Sequence, residues 1–265
     1  MAELTVATLN LHLNHHRWLG RRHLIVEAIL DAQPDLVGFQ EVYRPGEYGR
    51  WLRQQINSRL SGESGEPYRL FQKRKHHLIQ GYFEGLAVLT RLPVLAHDYL
   101  PLGYGGRIAL RLNVEVSARE TLDFVNVHLH HVAADREARE EQVMAIMGWL
   151  SESNPVPLQI IAGDFNELPS GPAIRRMKQR YRSALVEARG YEPVATFPTA
   201  LVPHDDDWAG CLDYIFVSKA LGPVLEAGLF CNRAPAEDPT LYPSDHIGLI
   251  AKVETRGKPL PFRPR

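Results

Sequence analysis

LQIIAGDFN, residues 158–166, runs from apolar positions straight into Gly163, after which two polar acceptors, Asp164 and Asn166, bracket Phe165. Glu167, Leu168 and Pro169 follow, so the run reads as a buried strand that stops abruptly. A carboxylate and an amide are thereby held at the rim of a sheet. In open α/β architectures chemistry collects just beyond the carboxyl ends of strands, where a rigid element aims side chains. Asp164 and Asn166 are two apart, so they point to one side while the extended conformation persists, and Phe165 packs the other way. A lone Gly-Asp-x-Asn is better explained by an Asx-turn closing a strand. Here the same kind of residue recurs at other strand ends.

Upstream, residues 135–150 carry Val143, Ile146, Met147 and Leu150 at helical spacing, with the charged run REAREEQ on the wet side. Before that helix, 107–116 (RIALRLNVEV) and 121–128 (TLDFVNVH) alternate and form a hairpin, whose second strand ends in His128, His130 and His131. GLAVLTRLPV follows Glu84, and ahead of it Lys73, Arg74, Lys75, His76 and His77 form a basic cluster, read either as a solvated loop or as a phosphate-steering arm. The expected strand before that cluster covers 68–72, and a helix covers 48–60. Residues 4–11 make a first strand ending near Asn10, with His12 beyond. A helix over 22–32 is stopped by Pro34, and DLVGFQEV brings Gln40 and Glu41 to the end of the next strand. Asn10 and Glu41 therefore sit at matching ends of parallel neighbours.

Downstream, Ser170, Gly171 and Pro172 introduce a second helix through Tyr181, and 191–202 is loop-like. The run HDDD (204–207) reads as a solvated turn, LDYIFV (212–217) as a strand with Asp213 near its start, and 224–230 as another. Pro243, Ser244, Asp245 and His246 precede the strand IGLIAKV. Alternating strands outnumber helices, and helices fall mainly in connections. Two packed sheets flanked by helices fit this α/β (α+β) pattern.

With 265 residues and 45% hydrophobic content the chain can bury a large core, so one domain over 1–256 is expected, followed by a basic, proline-rich tail at 257–265. The net charge of −1 leaves no global positive field for nucleic acid, and any polyanion must meet a local patch. Cys211 and Cys231 are too few for a disulfide scaffold, which fits a reducing compartment. No transmembrane run and no basic, apolar leader is present in MAELTVATLNLHL, so the expectation is a cytoplasmic protein with no obligate protein partner.

Asn10, Glu41, His128, Asp164, Asn166, Asp213, Asp245 and His246 are the polar residues collected at strand ends. Oxygen donors without thiolates suit a hard cation better than zinc, and Mg²⁺ needs only one or two protein carboxylates. Glu41 and Asp245 are the candidates, with Asn10 close by.

The ordered set LN (9–10), FQEV (39–42), EGLAVLTRLP (84–93), NVHL (126–129), GDFN (163–166), LDYIFV (212–217) and SDH (244–246) resembles the endonuclease/exonuclease/phosphatase superfamily. The resemblance implies a four-layer α/β/β/α sandwich and a Mg²⁺- or Mn²⁺-dependent phosphoester site. It implies Glu41 as direct metal ligand, with Asn10 and Asp245 in or beside that shell. Asp164 would orient and deprotonate the attacking water, helped by Asn166; His246, held by Asp213, and His128 would stabilise charge on the scissile phosphate. Arg107, Lys73, Arg74 and His76 are candidates for substrate contact. The family's abasic-site enzymes have an Asp two residues after the first-strand Asn and a Tyr-x-Pro-Asn segment; His12 stands here and no such segment occurs, which disfavours abasic repair. The expectation is a phosphodiester hydrolase, with nucleic acid among the candidate substrates. Its rivals are a phosphatase or phospholipase-like hydrolase of a small or lipid phosphoester, and a silent binding module on the same fold.

Overall fold

In chain order the elements of the computed structural model are β1 (Glu3–Asn10), α1 (Trp18–Ala32), β2 (Leu36–Tyr43), α2 (Tyr48–Leu60), β3 (Arg69–Arg74), α3 (Gln80–Phe83), β4 (Glu84–Thr90), β5 (Val94–Pro101), β6 (Ile108–Ser117), β7 (Glu120–His128), α4 (Arg136–Glu152), β8 (Leu158–Asp164), α5 (Pro172–Arg180), β9 (Tyr181–Ser183), α6 (Ala184–Arg189), β10 (Asp213–Ser218), β11 (Val224–Phe230) and β12 (Gly248–Glu254). The structure describes residues 3–60, 67–117, 120–152, 155–203 and 209–255; HDDD and the basic tail lie outside them. Among the described residues no helix is long and apolar enough to cross a membrane.

The strands make two six-stranded mixed sheets, ordered β11-β12-β1-β2-β4-β3 and β5-β6-β7-β8-β10-β9. Each has one parallel pair, β1 with β2 across α1 and β7 with β8 across α4, and a helical crossover is what parallel neighbours require. Strand alternation then sorts the apolar residues into three interfaces. Val6, Val88, Phe124 and Ile160 fill the space between the sheets. Their chain neighbours point outward: Ala7, Val37 and Leu89 meet Ile25, Ile29 and Leu52 under α1 and α2. Val125 and Ile161 meet Val143, Ile146 and Ile174 under α4 and α5. That is the expected four-layer sandwich.

A polar network crosses between the sheets above the apolar layer. Gln40 Nε2 donates to Asn126 Oδ1 at 2.6 Å and to Thr8 Oγ1 at 2.9 Å, while Asn126 Nδ2 donates to the Phe39 and Ala87 carbonyls, each at 2.9 Å. Gly38 makes room, since a Cβ there would lie 3.0 Å from Asn126 Cγ. Gln40 Oε1 is buried without a partner among the described residues, but the bonds that Gln40 Nε2 and Asn126 Nδ2 make run between the sheets and fix the register of one on the other.

Three local expectations are corrected. β3 runs to Arg74, so Lys73 and Arg74 are strand residues rather than loop. β5 escaped the sequence reading because it is an edge strand, exposed along most of its length, and so lacks apolar alternation. The helix after Pro172 ends at Arg180, where the chain turns extended to add the short strand β9.

Candidate active site

The carboxyl ends of both parallel pairs face the same cleft. In register, Asn10 lies beside Gln40 on one sheet, and His128 and Asp213 lie on either side of Asp164 on the other. Sequence neighbours thus deliver polar groups from two sheets to one place, a hollow of about 640 Å³ lined by Glu41, His128, Asp164, Asn166, Asp245 and His246 among others. A larger hollow of about 850 Å³ lies against β11 and β12 and holds none of these groups.

Asp164 is the hub. Its Oδ1 accepts from the Asn166 backbone N–H at 2.8 Å and its Oδ2 from Asn10 Nδ2 at 3.0 Å, with His128 Nε2 at 3.5 Å and His246 Nε2 at 3.8 Å from the same oxygen. The extended chain breaks at Asn166, whose φ of +49° is left-handed, and its side chain donates to the Leu129 carbonyl at 3.1 Å. Glu41 sits at a register shift in β2 with φ +52°, a conformation a glutamate adopts only when its surroundings impose it. Its Oε1 accepts from Asn10 Nδ2 at 3.3 Å and its Oε2 from the Leu13 N–H at 2.7 Å.

His246 Nδ1 contacts Asp213 Oδ2 at 2.9 Å, and the Asp213 carboxylate is fully buried with Oδ1 unpartnered. Burial disfavours the imidazolium, but Asp213 and Asp164 outweigh it and raise His246 to about 10, while burial raises Asp213. We place the pair's shared proton on His246, because two carboxylates face it. The ligand atoms of Asp164, Asp213 and His246 lie within 4.8 Å of one another, near enough to hold a cation. With Nδ1 committed to Asp213, we read the group as one that handles protons and phosphate charge. A pH dependence follows. His246 titrates near 6.5 when unfolded, so its contribution is complete below that pH, declines as pH rises and is gone above about 10. Thermal melts in chelator should show a loss of a few kcal/mol at most across that window; in Asp213→Asn the slope should flatten, and an unchanged slope would refute the pairing.

Asp245 Oδ2 meets His12 Nδ1 at 2.7 Å and its Oδ1 accepts from Ser244 Oγ at 3.1 Å. Burial opposes its charge, but His12 and His246 prevail and bring it down to about 2. Asp245 and Glu41 line the same cleft. On the other flank Arg107 Nη1 donates to Glu84 Oε1 at 3.1 Å and to His128 Nδ1 at 2.7 Å, and Nη2 reaches His131 at 3.3 Å. A guanidinium can only donate, so His128 Nδ1 accepts and its proton sits on Nε2, toward Asp164. Lys75 Nζ donates to Glu84 Oε2 at 2.7 Å; burial opposes charge on Glu84, yet the Arg107 and Lys75 cations hold it far below the usual carboxylate range.

The structure therefore brings together Asn10, Glu41, His128, Asp164, Asn166, Asp213, Asp245, His246 and Arg107. Lys73, Arg74 and His76 are not among the cleft residues. Lys73 Nζ lies 3.6 Å over the Tyr99 ring, and exposed Arg74 and His76 line a separate hollow of about 160 Å³. Sequence reasoning missed four residues. Glu84 and Lys75 were written in the quoted segments, but only the antiparallel pairing of β3 with β4 makes them neighbours. His12 was seen only as a departure from a pattern. Arg21 hides in a helix, fully buried, donating to the carbonyls of His16 (3.0 Å), Leu11 (2.5 Å), Pro243 (3.1 Å), His12 (2.9 Å) and Asn14 (2.9 Å). It thereby ties the loop after Asn10 to the loop before Asp245.

The same architecture occurs in solved structures. The endonuclease/exonuclease/phosphatase from Bacteroides vulgatus is 21% identical with a TM-score of 0.74, over 97% of this chain and 100% of that one. A family protein from Leptotrichia buccalis is 21% identical with a TM-score of 0.74, over 95% and 99%. Humanized D. rerio TDP2 with 14 mutations is 17% identical with a TM-score of 0.76, over 96% and 100%. At such identities the likeness is one of fold. No curated protein matches the chain significantly. The sequence profile described as the Endonuclease/Exonuclease/phosphatase family matches residues 7–246. This chain therefore belongs to that family, whose members are generally hydrolases of phosphoester bonds.

Proposed function

We propose that the protein is a Mg²⁺- or Mn²⁺-dependent phosphodiester hydrolase. The observation that carries this reading is Asp164, a buried carboxylate with Asn10 on one side, the imidazoles His128 and His246 on the other, and Asp213 behind His246. A water beside Asp164 would be oriented and deprotonated by it, while Asn10 and the Asn166 N–H keep the carboxylate aimed. His246, charged and backed by Asp213, supplies positive charge to the phosphate as the bond breaks; His128, fixed by Arg107, donates from Nε2.

The donor set fits a hard dication. Glu41, Asp164, Asp213 and Asp245 bring four carboxylates to one region, against one imidazolium assigned to His246, whereas Glu84 is already balanced by Lys75 and Arg107. Glu41, with Asn10 and Asp245 beside it, would hold the ion, which when bound would neutralise charge on phosphoryl oxygens. In Glu41→Ala, Mg²⁺ affinity read by calorimetric titration is expected to fall on the order of tenfold or more; an unchanged titration would remove Glu41 from the metal shell.

The test of the activity is hydrolysis of bis-p-nitrophenyl phosphate beside p-nitrophenyl phosphate, with Mg²⁺, with Mn²⁺ and with chelator, and an Asp164 variant as blank. Metal- and Asp164-dependent cleavage of the diester alone supports the proposal. Turnover of the monoester alone makes the protein a phosphatase and overturns it.

A further inference from the structure

Residues 76–83, HHLIQGYF, form a loop and the single-turn α3 beside the cleft, and Gln80 and Phe83 help line it. Three apolar side chains face away from the protein, Leu78 at 95% exposed, Ile79 at 71% and Tyr82 at 62%, and Phe83, 41% exposed, adjoins them at the cleft edge. Exposed apolar residues scattered singly need no explanation, but a contiguous group marks a surface made to be covered. The backbone beneath them is well tied. His76 N donates to the Gly106 carbonyl at 2.8 Å, Gly81 N to His77 at 2.9 Å, and Arg44 N to Phe83 at 2.9 Å. Gly81 presses on the Lys75 carbonyl, where a Cβ would lie 2.3 Å away. An ordered chain is therefore presenting these side chains outward.

Two exposed cations, Arg44 and Arg74, flank the loop, Arg44 Nη1 reaching the Gly81 carbonyl, and the only carboxylate within residues 73–85, Glu84, is buried and bound to Lys75 and Arg107. The two aliphatic side chains are the most exposed, the two aromatic ones less so, and arginines flank them, a composition that suits hydrocarbon, interface and anionic headgroup of a bilayer leaflet in turn. A nucleic-acid strand offers stacking faces to Tyr82 and Phe83 but little to Leu78 and Ile79.

We propose that residues 76–83 dock the protein on an anionic membrane surface and hold the cleft over a phospholipid phosphodiester. The docking stands on the loop alone, while the substrate class rests on the phosphodiesterase reading above. The test is co-sedimentation of the full chain, in Mg²⁺, with phosphatidylcholine vesicles with and without phosphatidylserine, comparing wild type with Leu78→Glu/Ile79→Glu and with the milder Leu78→Ser/Ile79→Ser. Wild type should bind the phosphatidylserine vesicles, and the Glu pair should weaken binding by about tenfold or more. Turnover of a small soluble diester should be unchanged in both variants, since neither side chain lines the cleft. Failure of wild type to sediment with vesicles, or equal sedimentation by the Glu variant, overturns the proposal. So does a result in which the substitutions abolish binding of single-stranded DNA and not of vesicles. Because sedimentation needs no turnover, a protein that binds vesicles but cleaves no diester would remove the catalytic reading and leave the docking intact.

Discussion

Asp164→Asn is expected to lower turnover of a phosphodiester by about 10³-fold, within the range a positioned general base contributes. The substitution keeps the volume of a side chain that is 1% exposed and keeps an acceptor for the Asn166 N–H, so stability should change by less than about 2 kcal/mol. What it removes is the ability to take a proton, and it sets an amide against Asn10 Nδ2 at the position of Oδ2. Turnover and thermal unfolding measured on one preparation separate the two effects. A variant that keeps more than about a tenth of wild-type activity would take the base role away from Asp164.

The second large effect is expected at Arg21, remote from any reacting atom. Its guanidinium is fully buried and held by five backbone carbonyls, and burial lowers its pKa to about 10. Arg21→Met leaves those carbonyls without their donor. The charge's own desolvation cost also disappears, so the net loss is less than the sum of the bonds, about 3 kcal/mol. For a chain of this size that lowers Tm by roughly 6–12 °C. Because the same contacts join the His12 loop to Pro243, two residues before Asp245, activity well below the transition should fall by about tenfold or more as well. Calorimetry with assays in the cold tests both; a variant as active and as stable as wild type would show that the loops hold their places without Arg21.

Much of this was legible in the sequence, for identifiable reasons. β1, β7 and β8 end in polar residues, β10 begins with one and β2 carries Glu41 near its end, because strands buried on both faces tolerate polarity only at their rims, so Asn10, Glu41, His128, Asp164 and Asp213 could be named from position alone. The sandwich followed from alternation in the hairpins and helical spacing in the connections. Glu84 was not legible as a partner of His128, because the two come from different sheets and no local periodicity relates them. Arg21 lies one residue before the helix read over 22–32 and was not singled out; a fully buried arginine leaves no trace in sequence spacing. The basic run from Lys73 to His77 misled for the converse reason: β3 ends at Arg74, so Lys73 lies over Tyr99 on the sheet while Lys75, past the strand's end, meets Glu84, and a cluster in sequence becomes a divergence in space.

β1 lies between β2 and β12, so the second element pairing of the first strand uses residues 249–254, nearly the last described part of the chain. During synthesis that sheet must wait. Until β12 leaves the ribosome, the edge of β1 carries unpaired backbone groups beside Val6 and Leu4, whereas β5 through β8 can already pair with one another. The carboxyl-terminal strand thus acts as the closing step of a slow, long-range assembly. Asp245 and His246 directly precede it, so an incomplete chain has neither a finished first sheet nor a finished site.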